Sequence, residues 1–131
     1  MIVPRSLDGF DVIASVERML DQPMLWWEAV GLFVEHFATW EQSWQESIGD
    51  DALERRRVHA VRSAAANVGA KQLAEVAGEL EDFLLRRAAG DLADVSPDLR
   101  LRLRDSFRHA WASAATARRA NEFHPGGRAC A

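Results

Sequence analysis

Residues 58–81 read VHAVRSAAANVGAKQLAEVAGELE, and the fold follows from where this stretch places its apolar side chains. At about 100° per residue, Leu53, Val58, Ala60, Val61, Ala64, Ala65 and Val68 gather on one broad side, which predicts a helix over residues 51–68 with a core-facing stripe. His59 points away from that stripe. On its outer side Arg55, Arg56, Arg62 and Ser63 lie one turn off, and Ala52 and Ala66 lie two turns off. The imidazole is therefore expected in a clearing of small side chains ringed by guanidinium groups.

A neutral imidazole is a nucleophile near neutral pH, because its reference pKa is about 6.5, and positive charge nearby favours the neutral ring. Were its free nitrogen to take a phosphoryl group, Arg62 could lie along the helix and neutralise the new charge through its guanidinium fork. Small residues at Ser63 and Ala66 would let the backbone of another protein come close. From the helical wheel alone, a plain surface histidine on a solvated helix is the simpler account.

The longer string separates these readings. His59, Val61, Arg62, Ala64, Ala65, Val68, Gly69, Ala70 and Leu73, followed by Leu80 and Glu81, resemble the phosphotransfer motif of the histidine-containing phosphotransfer (HPt) domains of two-component phosphorelays. The chain departs from that motif at Ser63, where glycine is usual, and at Ala64, where serine is common; Arg62 stands for the more frequent lysine. The resemblance implies that His59 accepts a phosphoryl group from a receiver-domain aspartate and passes it to another receiver aspartate. It implies a carrier without kinase activity or cofactor of its own, the Mg²⁺ being expected on the receiver partner. A polar residue on the following helix often orients the imidazole in this family, and Glu81 is the candidate. Bound to Nδ1–H, its carboxylate would leave Nε2 free to attack. Arg62 and Ser63 are the other supporting residues. The implied docking surface comprises Ala52, Arg55, Arg56 and Ala66, with Val34 and Ala38 on the helix before. The alternative is an adaptor that keeps the bundle and binds or sequesters a receiver or another regulator without being phosphorylated.

Composition narrows the field. A chain of 131 residues is expected to form one domain with its own hydrophobic core. Its single cysteine, Cys130, permits no intramolecular disulfide, which fits a reducing, cytoplasmic setting. No apolar run approaches the roughly 20 residues that cross a bilayer, and MIVPRSLDG lacks the apolar segment of a signal peptide. A net charge of −4 argues against a general nucleic-acid binder, so the arginines around His59 form a local island suited to an acidic partner. The histidines and the cysteine fall into no metal-ligand spacing. No glycine-rich phosphate loop is present either, so a phosphoryl group must come from another protein. A monomer is expected.

In chain order the pattern is helical throughout. Asp11 caps a short segment over residues 12–20, and Pro23 restarts the chain into one long helix over residues 24–47. Trp26, Val30, Phe33, Phe37, Trp40 and Trp44 recur there at helical spacing as core. A weaker stripe of Trp27, Val34 and Ala38, with Gly31 beside it, either packs under the short first helix or stays exposed for docking. After residues 51–68, Gly69 makes a turn into a helix over residues 70–89 with Leu73, Val76, Ala77, Leu80, Phe83 and Leu84 inside. Ser96 and Pro97 open the last helix, which runs to about residue 121 and buries Leu99, Leu103, Phe107, Ala110, Ala114 and Ala117. The expected fold is all-α over residues 1–122, an antiparallel up-down four-helix bundle with a short extra N-terminal helix. From Phe123 the remaining residues, 123–131, have no periodicity and are expected to be a mobile tail.

Overall fold

Four of the six helices start where the chain supplies an acceptor or a proline. Asp11 Oδ1 accepts from Ala14 N at 3.1 Å and opens α1 (Val12–Arg18). Pro23 opens α2 (Pro23–His36), and α3 (Trp40–Ser47) follows after a short break. Asp50 Oδ1 accepts from Leu53 N at 3.2 Å and opens α4 (Asp51–Val68). Then come α5 (Lys71–Ala88) and α6 (Pro97–Glu122). The computed structural model describes residues 2–91 and 93–122, and among them the regular elements are all helices. The expected tail from Phe123 onward lies outside the described residues.

Four helices close a ring: α4 lies between α2 and α5, and α6 lies between α5 and α2. The all-α bundle expected from the sequence is thus the fold. One element differs. The long helix over residues 24–47 is two helices, because Phe37 (φ −108°, ψ 12°) and Thr39 (φ −114°, ψ 12°) leave helical geometry. Past the turn α3 continues alongside α4 and α6. There the Trp40 ring packs 4.8 Å from that of Phe107 on α6, and its Nε1 donates to Arg57 O on α4 at 2.8 Å. Thr39, a β-branched residue of modest helix propensity that suits a cap position, is where the second helix begins.

The indoles fasten the helices to one another. Trp26 Nε1 donates to Val68 O at 2.9 Å from a fully buried position, tying α2 to the end of α4. Trp44 Nε1 donates to Glu54 Oε2 at 3.0 Å, and Trp111 Nε1 donates to Val34 O at 3.0 Å. Each buries a large apolar ring while its one polar atom keeps a partner.

Most of the expected core is found inside, including Val58, Val61, Ala65 and Val68 of α4 and Leu73, Val76, Ala77, Leu80 and Leu84 of α5. Seven of the expected core positions need correction, three on α4, one on α2, and Phe83, Leu99 and Ala117, which are half-buried on α5 and α6. Ala60 is exposed, and Leu53 and Ala64 are half-buried, because α5 and α2 grip a narrower strip than the wheel suggests. Phe37 is half-buried in the turn before α3. Glu54 instead occupies the middle of the stripe with its side chain fully buried.

In the second stripe of α2, Trp27 and Val34 pack toward α6, and Ala38 is exposed. Trp27 is buried, and Arg118 of α6 lies over its ring at 4.8 Å and donates to Trp27 O at 3.0 Å. Gly31 gives that guanidinium room, since a Cβ there would fall 2.8 Å from Arg118 Nη2.

α1 is locked to the hairpin between α4 and α5. Asp11 N donates to Gly69 O at 2.8 Å, and Gly69 stands at φ +88° with no room for a side chain: a Cβ would fall 2.0 Å from Ser15 Oγ.

Candidate functional site

The hairpin of α4 and α5 sets the site. Asp50 fixes where α4 begins and Gly69 where it ends, so the antiparallel return of α5 brings Glu81 opposite His59. Glu81 lies on the buried edge of α5, while His59 stands on the outer face of α4.

His59 Nδ1 is 2.7 Å from Glu81 Oε2, with 59% of the histidine side chain exposed and only 6% of the glutamate. The other carboxylate oxygen, Oε1, accepts from Arg62 Nη1 at 2.9 Å. Burial pushes the Glu81 carboxyl up, but hydrogen bonds from Arg62 and His59, reinforced by their charges, outweigh it and hold the group below its ordinary value. Glu81 is therefore ionised at neutral pH. An ionised carboxylate only accepts, so the ring hydrogen belongs on Nδ1 and the neutral ring keeps its lone pair on Nε2, toward solvent.

Arg62 crosses to α5 instead of lying along α4. Its guanidinium rests over Gly78, where a Cβ would fall 3.2 Å from Cζ, and it also approaches Asp82 Oδ1 at 3.7 Å. The single glycine inside α5, which costs about 1 kcal/mol in a helix, thus makes the seat for this arginine.

Ser63, Ala52, Arg56 and Ala66 are exposed around His59, and Arg55 is half-buried. Val34 and Ala38 are placed elsewhere. Val34 is half-buried on the side of α2 that meets α6, where its carbonyl takes the Trp111 indole, and Ala38 is exposed in the turn between α2 and α3. At the outer edge of α2 beside α4, Ala29, Leu32 and His36, with Phe33 and Phe37 and with Ala64, Asn67 and Val68 of α4, line a cleft of about 120 Å³. Leu25, Ala29, Leu32 and His36 recur at helical spacing. That signal was available in the sequence, but the bulkier tryptophan and phenylalanine stripe obscured it.

Sequence reasoning also missed Arg18. It reaches from α1 to donate to Ala66 O at 3.0 Å, adding a cation at the edge of the His59 face. Nothing local in the sequence marks it, because α1 meets α4 only through the tertiary fold.

The arrangement presents an outward ring nitrogen, a carboxylate that fixes its tautomer, a half-exposed guanidinium held on that carboxylate and a surface of small residues. Among the described residues no helix is long and apolar enough to cross a membrane. A family model described as the Hpt domain matches residues 32–115. Among curated proteins and among solved structures, nothing matches.

Proposed function

We propose, because the chain belongs to the Hpt domain family, that His59 is its phosphoryl acceptor and that it relays the group between receiver domains in the cytoplasm. Membership of the family implies phosphotransfer in two-component signalling and interaction with receiver domains. The finer reading, receiver aspartate to His59 to a second receiver aspartate, is supported chiefly by one observation: the hydrogen bond of 2.7 Å from Nδ1 to Glu81, which leaves Nε2 as the exposed lone pair.

In the forward step, Nε2 attacks the phosphorus of a phospho-aspartate, the P–O bond to the aspartate breaks, and its electron pair leaves on the regenerated carboxylate. The ring becomes cationic, and Glu81 faces the proton that carries this charge. The Mg²⁺ that balances the developing charge belongs to the receiver. This chain contributes the nucleophile, Glu81, Arg62 and a surface. Ala52, Arg55, Arg56, Ser63 and Ala66 form the proposed docking face, with Leu32 and His36 at its α2 edge. Ala38 stands farther along as an exposed contact, whereas Val34 serves the α6 packing. The chain acts as a monomer, its large α2 aromatics being spent on its own core.

Incubation with a phosphorylated receiver tests the reading. An acid-labile, base-stable label on the wild type and none on His59→Gln supports it; stable binding of the receiver without label would favour the adaptor.

A further inference from the structure

We propose that Glu81 sets the lifetime of the phosphorylated ring, by keeping a proton on His59 Nδ1 after Nε2 has taken the phosphoryl group; this inference rests on the carrier reading above. The orientation of the ring before reaction is one matter, and the fate of the N–P bond afterwards is another. Nδ1 faces Glu81 Oε2 at 2.7 Å, and that carboxylate is 6% exposed. The carboxylate is sheltered while the ring stays open to solvent, so a ring bearing hydrogen on Nδ1 and phosphoryl on Nε2 is a cation held against a largely buried anion.

Protonation decides what leaves. When the Nε2–P bond breaks, its electron pair stays on Nε2. From the cationic ring the departing group is neutral imidazole, its proton already on Nδ1. From an uncharged phosphorylated ring it would be an imidazolate anion, a far poorer leaving group. The attacking group is either an aspartate carboxylate, which becomes an acyl phosphate, or water, which yields inorganic phosphate and releases one proton to solvent. Glu81 thus makes the phosphorylated domain a ready donor and a short-lived store. It acts through the ring and is a positioning residue.

Arg62 grades this effect. It holds Glu81 Oε1 at 2.9 Å while its own side chain is 43% exposed, so its outer N–H groups remain open to new phosphoryl oxygens, toward which it turns in this reading. Once it does, the whole charge of Glu81 falls on the ring proton. The titratable and charged side chains on the faces flanking the ring are Arg55, Arg56 and Arg62 on α4, Glu81 and Asp82 on α5, Arg18 of α1 at the edge, and His36 across the α2 cleft. Of these, Glu81 is the one hydrogen-bonded to the imidazole.

The full chain, phosphorylated with the small-molecule donor phosphoramidate, provides the test, with His59→Gln marking the signal due to the other histidines. Phosphorus NMR follows loss of the N–P resonance, and nitrogen NMR reports whether Nδ1 carries hydrogen. The wild-type hydrolysis rate should hold to higher pH than that of Glu81→Gln, with Nδ1 carrying hydrogen over the wider range. In Glu81→Gln, which keeps the shape and an acceptor oxygen, the rate should fall about tenfold per pH unit above the reference imidazole value of about 6.5. A bare Nδ1 in the wild-type phosphoprotein, which no variant is needed to see, or matching pH profiles in the two proteins, would overturn the inference while leaving the carrier reading intact. Absence of any N–P signal from His59 would remove both.

Discussion

Replacing Arg100 by methionine should destabilise the bundle severely although neither residue touches the site. Arg100 grips Glu54 with two bonds, Nε to Oε2 at 3.0 Å and Nη2 to Oε1 at 2.7 Å, while Trp44 Nε1 supplies a third at 3.0 Å. The Glu54 side chain is 0% exposed. Methionine keeps the apolar stem and removes the fork, leaving a buried carboxylate with one neutral donor. Breaking a buried pair from one side costs about 3–5 kcal/mol, which for a domain of this size lowers Tm by roughly 10–20 °C. Urea unfolding followed by circular dichroism measures it, with an unchanged dependence on denaturant showing that the unfolded state is the same. The double variant Glu54→Leu with Arg100→Met removes both charges and leaves only the Trp44 N–H unpaired. It should recover to a deficit of about 1–3 kcal/mol. A single variant costing under about 1 kcal/mol, or a double variant less stable than the single, would refute the reasoning.

Two further perturbations probe other links. Leu32→Asp on the α2 edge of the cleft should weaken receiver binding about tenfold, or about 1.4 kcal/mol, and leave stability within about 0.5 kcal/mol because Leu32 is 52% exposed; titration calorimetry beside Ile13→Asp on α1, which should bind normally, checks this. The Glu81 carboxyl is held below its ordinary value, so its contribution to stability is present above the unfolded-state value of about 4.3 and is lost as pH falls through the lower folded value. The urea midpoints of the wild type and Glu81→Gln should accordingly converge in acid; a gap unchanged from neutral pH to acid would contradict it.

The sequence made the helices and their ends legible because those depend on local chemistry: Asp11, Asp50, Gly69, and Ser96 with Pro97 each act within a few residues of themselves. The pairing of His59 with Glu81 was legible through the motif, since the length of the hairpin sets it. The break at Phe37 to Thr39 was not, because the apolar spacing from Phe33 through Trp40 runs on undisturbed across it, and the contacts made just beyond it, with Arg57 and Phe107, lie far away in sequence. Glu54 falls at the centre of the α4 stripe, yet a lone acid among apolar positions does not announce its partner, and Arg100 lies 46 residues on. The same holds for Val34, whose neighbour Trp111 belongs to the last helix. In these three cases what escaped reading was a contact between elements distant in sequence.

Locating the transferred phosphoryl group tests the central claim most directly. After mixing with a phosphorylated receiver and removing it, phosphorus NMR should show one N–P resonance, assigned to His59 Nε2, that vanishes when a second receiver is added. A phosphoryl group found on another residue, or a receiver that stays bound while its aspartate keeps the label, would contradict the account.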